Sequence, residues 1–160
     1  MAPPPQTMSF DPRAIALLRR GNAEVAQANY AAALPCYEQA LQIEPNLAEA
    51  WISLGGALGG LSRWRESEEA CHRGLRLSPA HTIGLNNLGV ALNGLGRYAA
   101  AAACFEAALG RRPDFVQAHV NLASALFHQG EIDKAIARYE TALAHDPSSR
   151  DALLGLLPVL

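Results

Sequence analysis

Four prolines recur in this chain at a fixed interval of 34 residues: Pro45, Pro79, Pro113 and Pro147. Each follows a similar phrase, in which leucine stands four residues before the proline and alanine or glycine precedes that leucine. Such a period indicates stacked units, because one unit of this size cannot bury its apolar face alone. Counting back from the prolines predicts four blocks, followed by an incomplete fifth at 150–160: 14–47, 48–81, 82–115 and 116–149.

Each block has the pattern of two helices. In its first half, apolar or small residues recur at positions i, i+3, i+4 and i+7, as in Trp51, Leu54, Gly55 and Leu58. A turn follows, where Gly96 and Gly130 suit the left-handed conformation that ends a helix. Ala and Leu make up about a third of the chain, while Val, Ile and Thr together are few. Since the former favour helices and the latter strands, the composition excludes an all-β fold.

The charge and the cysteines exclude several classes of protein. The net charge of −2 argues against a nucleic-acid partner, which calls for a basic surplus. Three cysteines in a chain of 160 residues do not make a disulfide framework, so we expect a reducing compartment and a cytoplasmic protein. No apolar run is long enough to span a membrane, and residues 1–11 lack the features of a secretory signal. We expect residues 1–13 to form a disordered tail.

The repeated phrases resemble tetratricopeptide (TPR) repeats over 136 of the 160 residues. The resemblance is carried by the closing prolines, by Trp51 with Leu54-Gly55, and by Tyr98, Ala101, Phe105 and Ala108. It implies an all-α, right-handed superhelix of antiparallel helix pairs: four repeats and a partial C-terminal helix at 150–160. In that family the first helices line a concave groove, which binds a peptide or a partner protein.

The first block departs from the family pattern. Arg20 and Glu24 replace leucines of the later blocks, and polar residues on a face without a neighbour indicate an N-terminal cap. If the second helix of this block starts at 29–31, Pro35 lies in or just after its first turn, where a missing N–H costs little. The second block carries more glycines than its packing column requires, so its first helix should be the weakest of the array.

The groove implied by the resemblance is nearly uncharged. Among the first-helix residues outside the packing stripe, only Arg19 and Glu49 carry charge, so the basic set of a carboxylate clamp is absent. We predict that the peptide-binding residues are Asn22, Ser53, Asn86, Asn87, Asn93, Asn121, Ser124, Phe127 and His128.

Asn87 and Asn121 occupy the same position in successive blocks, with Ser53 one block earlier. Because an amide both donates and accepts, such a row can hold an extended peptide by its backbone. The surrounding phrases resemble the asparagine ladder in the TPR superhelix of O-linked N-acetylglucosamine transferases. The alternative is that asparagine is simply tolerated on a solvated helix face. In either case we expect both amides to face solvent in the free protein.

No catalytic constellation, metal-ligand spacing or phosphate loop emerges, so we predict a non-enzymatic scaffold without cofactor or metal. Two alternatives remain open: a substrate-recruiting part of a larger enzyme such as a glycosyltransferase, or a self-associating array. The C-terminal leucines suggest a homo-oligomer or a docked domain. We expect Leu153, Leu156 and Leu157 to cover the last helix pair and Leu154 to point elsewhere.

Overall fold

The part of the chain described by the computed structural model, residues 9–158, consists of nine helices and contains no strand. In chain order they are α1 (Pro12–Ala26), α2 (Tyr30–Ile43), α3 (Ala48–Gly60), α4 (Trp64–Leu77), α5 (Thr82–Gly94), α6 (Tyr98–Arg111), α7 (Val116–His128), α8 (Ile132–His145) and α9 (Arg150–Leu156). Short turns join the helices into antiparallel pairs, and the pairs stack into the predicted all-α superhelix.

The N-terminal boundary differs from the expectation. Most of the expected disordered tail, residues 1–8, lies outside the described residues. Pro12 and Arg13, however, already belong to α1, because the Asp11 carboxylate accepts a hydrogen bond from the Arg13 backbone N–H and Pro12 suits the first helical position.

The first helices of successive pairs contact one another, whereas the second helices do not. Contacts join α1 to α3, α3 to α5 and α5 to α7, but among residues 9–158 none join α2 to α4 or α4 to α6. Helices that approach each other this closely occupy the inner side of a curved array. The first helices therefore form its concave surface.

The turn inside each helix pair contains one residue with a left-handed backbone, again at 34-residue intervals. Gly96 and Gly130 have φ angles of 75° and 80°, as predicted. Ala28 and Ser62 adopt the same conformation with φ angles of 59° and 58°, although both carry a Cβ. Their side chains make this turn costlier in the first two pairs, by roughly 1–2 kcal/mol for each residue.

Within a pair, a small residue of the first helix receives a larger side chain of the second. A Cβ added to Gly21 would lie 2.5 Å from the Tyr37 ring, and one added to Gly89 would lie 2.5 Å from Phe105. Tyr37 is 1% exposed and Phe105 is 0% exposed. The glycines of this column are therefore required by packing.

Two first helices are tied by a side-chain donor to the proline turn that precedes them. Trp51 donates from Nε1 to the Pro45 carbonyl at 2.8 Å, and His119 places Nε2 at 2.8 Å from the Pro113 carbonyl. Both bonds span six residues. His119 therefore links the first helix to the preceding turn in the fourth pair, as Trp51 does in the second. Burial lowers the pKa of His119, and its Nδ1 is buried without a partner among the described residues.

Pro35 lies just after the first turn of its helix, within the predicted range, but its missing N–H is not one of the four that a helix start leaves free. Since α2 begins at Tyr30, Pro35 falls in the second turn, where its missing N–H removes a bond to the Ala31 carbonyl. Pro35 and Ala31 are both exposed, so water can reach the freed carbonyl.

The two ends of the array are finished differently. At the N-terminal end Arg20 is exposed and Glu24 half-buried, as a polar cap requires. At the C-terminal end Ala152 is buried and Leu156 packs against α7 and α8, but Leu153 is 49% and Leu157 68% exposed. Our expectation that these two leucines cover the last pair was wrong, because the packed face of α9 is the one that carries Ala152 and Leu156, four residues apart.

The three cysteines are free thiols; Cys36 and Cys71 are buried and Cys104 is half-buried. Burial raises the pKa of Cys71 to about 12. Within residues 9–158, every helix is too short or too polar to cross a lipid bilayer.

Candidate peptide groove

The amides of Asn87 and Asn121 join successive first helices. Asn87 donates from Nδ2 to the Ile52 carbonyl at 3.2 Å, and Asn121 donates from Nδ2 to Asn86 Oδ1 at 3.1 Å. Both residues are half-buried, so our expectation that they face solvent was wrong. Because the first helices touch along the concave surface, each amide reaches the first helix of the preceding repeat. We refer to Asn86, Asn87 and Asn121, which lie where successive first helices meet, as the amide seam.

The amides of this seam differ in which of their hydrogen-bonding atoms have a partner. Asn87 Oδ1 accepts no hydrogen bond from the described residues, whereas Asn121 Oδ1 accepts one from Gln117 at 3.3 Å. Asn86 is only 6% exposed, and its Nδ2 likewise has no protein partner within residues 9–158. Among the described residues, the seam therefore has one acceptor without a partner, Asn87 Oδ1, and one donor without a partner, Asn86 Nδ2.

Asn93 lies on α5, the helix that also carries Asn86 and Asn87. Its Oδ1 is buried and has no hydrogen-bond partner among the described residues. Buried polar atoms nearly always have a partner, supplied by the protein, an ordered water or a ligand. Asn93 and Val90 are three residues apart and thus share one face of α5.

The predicted groove residues of α7 are engaged with one another and with α6. The His128 ring stacks on Tyr98 with a centroid distance of 4.7 Å, and Phe127 meets that ring edge-on at 5.7 Å. His128 Nδ1 lies 2.8 Å from the backbone carbonyl of half-buried Ser124. Tyr98, Phe127 and His128 form an aromatic edge on α6 and α7, whereas the bond from Asn87 to Ile52 joins α5 to α3.

The two remaining predicted residues belong to the first two pairs. Asn22 is exposed, and its Oδ1 accepts a hydrogen bond from the Tyr37 hydroxyl at 2.8 Å. Burial raises the pKa of Tyr37 to about 12. Ser53 is half-buried on α3, in the same register as Asn87 and Asn121.

The glycines of α3 surround a cavity that sequence reasoning missed. It has a volume of about 230 Å³ and is lined by Tyr30, Gly55, Gly56, Gly59, Gly60, Ser67, Asn87 and Val90. None of these residues carries a charge. Tyr30 could have been found from its periodicity, because Trp64 and Tyr98 follow it at intervals of 34 residues.

Most of the α3 glycines are needed by their neighbours, contrary to our reading of them as excess. A Cβ at Gly60 would lie 2.9 Å from the Tyr30 ring, and one at Gly56 would lie 2.8 Å from Asn87 Nδ2. Gly59 differs, because its added Cβ would meet only Ser67 Oγ at 3.5 Å and Trp64 at 4.0 Å.

The groove otherwise has little charge and no metal-ligating cluster. Arg19 and Glu49 are both exposed. Among the described residues, no three His, Cys, Asp or Glu side chains come together as metal ligands would. The chemistry available is hydrogen bonding by amides beside apolar and aromatic surface.

Comparison with solved structures places the fold among helical repeat proteins. MamA from Desulfovibrio magneticus RS-1 matches with a TM-score of 0.74 at 18% identity, over 94% of this chain and 95% of that chain. YrrB, a TPR protein described as having an unusual peptide-binding site, matches with a TM-score of 0.70 at 20% identity, over 91% and 75%. Cut9, in its complex with Hcn1, matches with a TM-score of 0.86 at 19% identity, over 92% and 30%. No curated protein matches this chain significantly in sequence.

Family models of the tetratricopeptide repeat match most of the chain directly. One model matches residues 57–103, 86–149 and 129–157, and a second TPR model matches residues 21–61. Together with the 34-residue period and the stacked helix pairs, these matches show that the chain belongs to the tetratricopeptide repeat family.

Proposed function

We propose that this chain is a protein-interaction scaffold whose concave surface binds an extended peptide segment of a partner protein. The observation that carries the proposal is the amide seam: Asn87, fixed by its bond to Ile52, keeps an oxygen free for a peptide N–H. The absence of charge around it favours a segment held through its backbone. YrrB, a protein of similar fold, is described as having a peptide-binding site, which supports the proposal that this chain binds a peptide.

Short random peptides displayed on phage and panned on the immobilised chain provide ligands for a test. We expect Ile83→Arg to weaken the selected peptides by about tenfold or more, because Ile83 is 47% exposed on α5, four residues before Asn87 and thus on the same helix face. Leu77→Arg is the matched control, since Leu77 is 43% exposed at the end of α4. Equal affinity for both variants, or failure to select any peptide, would contradict the proposal.

A second candidate function, self-association, rests on the C-terminal helix. Leu153 and Leu154 on α9 are 49% and 51% exposed, and Leu157, which directly follows this helix of seven residues, is 68% exposed. Clustered apolar side chains of this kind mark an interface in stable proteins. We propose that α9 packs against another copy of the chain or a further domain.

Sedimentation velocity across a concentration series tests the pairing of copies. We expect the average mass to rise with concentration, and Leu154→Glu to return the chain to a monomer, because a charge on this surface opposes apolar contact. Leu77→Glu serves as the control, since Leu77 is exposed to a similar degree at the end of α4. If the chain remains a monomer at all concentrations, the exposed leucines do not pair two copies of the chain.

A further inference from the structure

We infer that the cavity on α3 is a recess that takes one uncharged, aromatic or large aliphatic side chain of the bound peptide. The inference rests on the peptide-binding function proposed above and names what the peptide must contain. Four observations carry it: the space left at Gly59, the filling of the equivalent position in the later repeats, the uncharged lining, and the unpaired oxygen of Asn87.

Gly59 is the one glycine of α3 in the recess whose presence packing does not explain. Glycine inside a helix lowers helix stability relative to alanine. Gly60 is required by the Tyr30 ring and Gly56 by the Asn87 amide, but a Cβ at Gly59 meets nothing closer than 3.5 Å. The empty space above Gly59 therefore persists although a methyl group could occupy part of it.

The equivalent positions of later repeats are occupied. Where α3 has Gly56 and Gly59, α5 has Val90 and Asn93, and α7 has Ser124 and Phe127. Because Asn87 already takes the space at Gly56, the position that α3 leaves open is that of Gly59, which Asn93 and Phe127 occupy in the later repeats. The recess is thus particular to the second repeat, which predicts a single anchor position in the peptide.

The lining determines the kind of side chain that fits. The Tyr30 ring and Val90 supply apolar walls, and Ser67 is 1% exposed with its hydroxyl already donating to the Gly55 carbonyl at 2.7 Å. No lining residue carries a charge that could compensate a buried ionic group, which would be costly to desolvate. An uncharged apolar or aromatic side chain is the occupant that this lining favours.

One residue of the lining has an unpaired oxygen. Asn87 Oδ1 accepts no hydrogen bond from the described residues. A backbone N–H group next to an anchored side chain would satisfy this acceptor. The recess thus combines space for a side chain with an acceptor for the chain that carries it.

A small neutral probe tests the recess without knowledge of the natural partner. N-acetyl-phenylalaninamide is titrated into the full chain, and backbone amide chemical shifts are followed by NMR. We expect saturable shifts at Gly56, Gly59 and Val90, with much smaller shifts for N-acetyl-alaninamide. Gly59→Leu, which fills the recess, should abolish them. Gly110→Leu should preserve them, since Gly110 is a helical glycine with no atom near its added Cβ.

Peptides selected on the wild-type chain provide the second arm. We expect them to share one aromatic or large aliphatic position, and to lose about tenfold or more in affinity for Gly59→Leu but not for Gly110→Leu. Thermal unfolding of both variants establishes that they are folded, and Gly59→Ala provides a milder substitution if the leucine variant is not.

The outcomes separate the two proposals. Absence of probe shifts, or shifts unchanged in Gly59→Leu, would overturn the recess. Peptides that respond to Ile83→Arg but bind Gly59→Leu at wild-type affinity would also overturn it while leaving the peptide groove intact. Conversely, the probe could bind at the recess while the affinity of the selected peptides is unchanged by Ile83→Arg. This result would overturn the groove proposal, and with it the role of the recess as an anchor for a peptide.

Discussion

At the scale of single residues, neighbours in sequence can have opposite requirements. Gly59 and Gly60 both lie at the end of α3, but only Gly60 faces an aromatic ring at 2.9 Å. The sequence shows two similar helical glycines, because the residue that distinguishes them, Tyr30, belongs to the preceding repeat. Only the stacking of repeats brings that ring onto Gly60.

We predict that Gly59→Ala raises the free energy of unfolding by about 0.5–1 kcal/mol, because alanine is the better helix former and space for its methyl group exists. Gly60→Ala should bring no such gain, since its methyl group would press on the Tyr30 ring. Urea denaturation of both variants measures the difference. An equal gain at the two positions would show that the Tyr30 ring moves aside freely.

His119 should make the fold sensitive to mild acid. Burial lowers its pKa in the folded state, so as the pH falls through the ordinary value of 6.5 the unfolded chain takes up this proton first. The stability that His119 provides is therefore complete above pH 6.5 and decreases below it. We expect the free energy of unfolding to drop between about pH 7 and about pH 5.

Two variants identify the source of this drop. His119→Leu should be less stable at neutral pH, since the Pro113 carbonyl loses its donor, but its stability should depend less on pH over that range. His72→Gln, at an exposed position on α4, should retain the dependence. If His119→Leu loses stability with acid as steeply as the wild type, the protonation of another group causes the drop.

At the scale of helices and turns, the hydrophobic period and the glycines carried most of the prediction. Gly96 and Gly130 were predicted as left-handed turn residues because glycine adopts that conformation without strain. Ala28 and Ser62 were not, since neither residue type favours it. Their conformation follows from the repeat, which imposes the same turn whatever residue stands there.

Pro35 interrupts the hydrogen bonding of α2 in its second turn. We predict that Pro35→Ala raises the free energy of unfolding by about 2 kcal/mol, since the restored bond to Ala31 outweighs the added freedom of the unfolded chain. Urea denaturation measures the gain. Pro45→Ala, in the turn between α2 and α3, should show no comparable gain, and similar effects at both prolines would contradict this account.

At the scale of the whole molecule, the sequence predicted the architecture well, but it did not predict which contacts the side chains of the concave surface make. The 34-residue period determines how the pairs stack, and so the concave surface follows from it. The bonds of Asn87 and Asn121 could not be predicted, because they depend on the distance between successive first helices. That distance results from the packing of all the pairs and has no local signature.

The double variant Asn87→Ala with Asn121→Ala should therefore lower the free energy of unfolding by about 1–3 kcal/mol, because two half-buried hydrogen bonds between repeats are lost. Chemical denaturation measures this loss. Asn46→Ala, in the exposed turn before α3, is the control and should change little. An unchanged stability of the double variant would indicate that water replaces both bonds without cost.

The array differs in stiffness between its concave and convex sides, because the first helices contact one another and the second helices do not. Flattening the curve stretches the inner seam, including the bond from Asn87 to the Ile52 carbonyl, while the outer helices meet no resistance from one another. Bending thus pivots on the surface where a ligand would lie. A peptide bound to Asn87 as proposed would lie against this pivot, so its binding would resist or favour a change in the pitch of the superhelix.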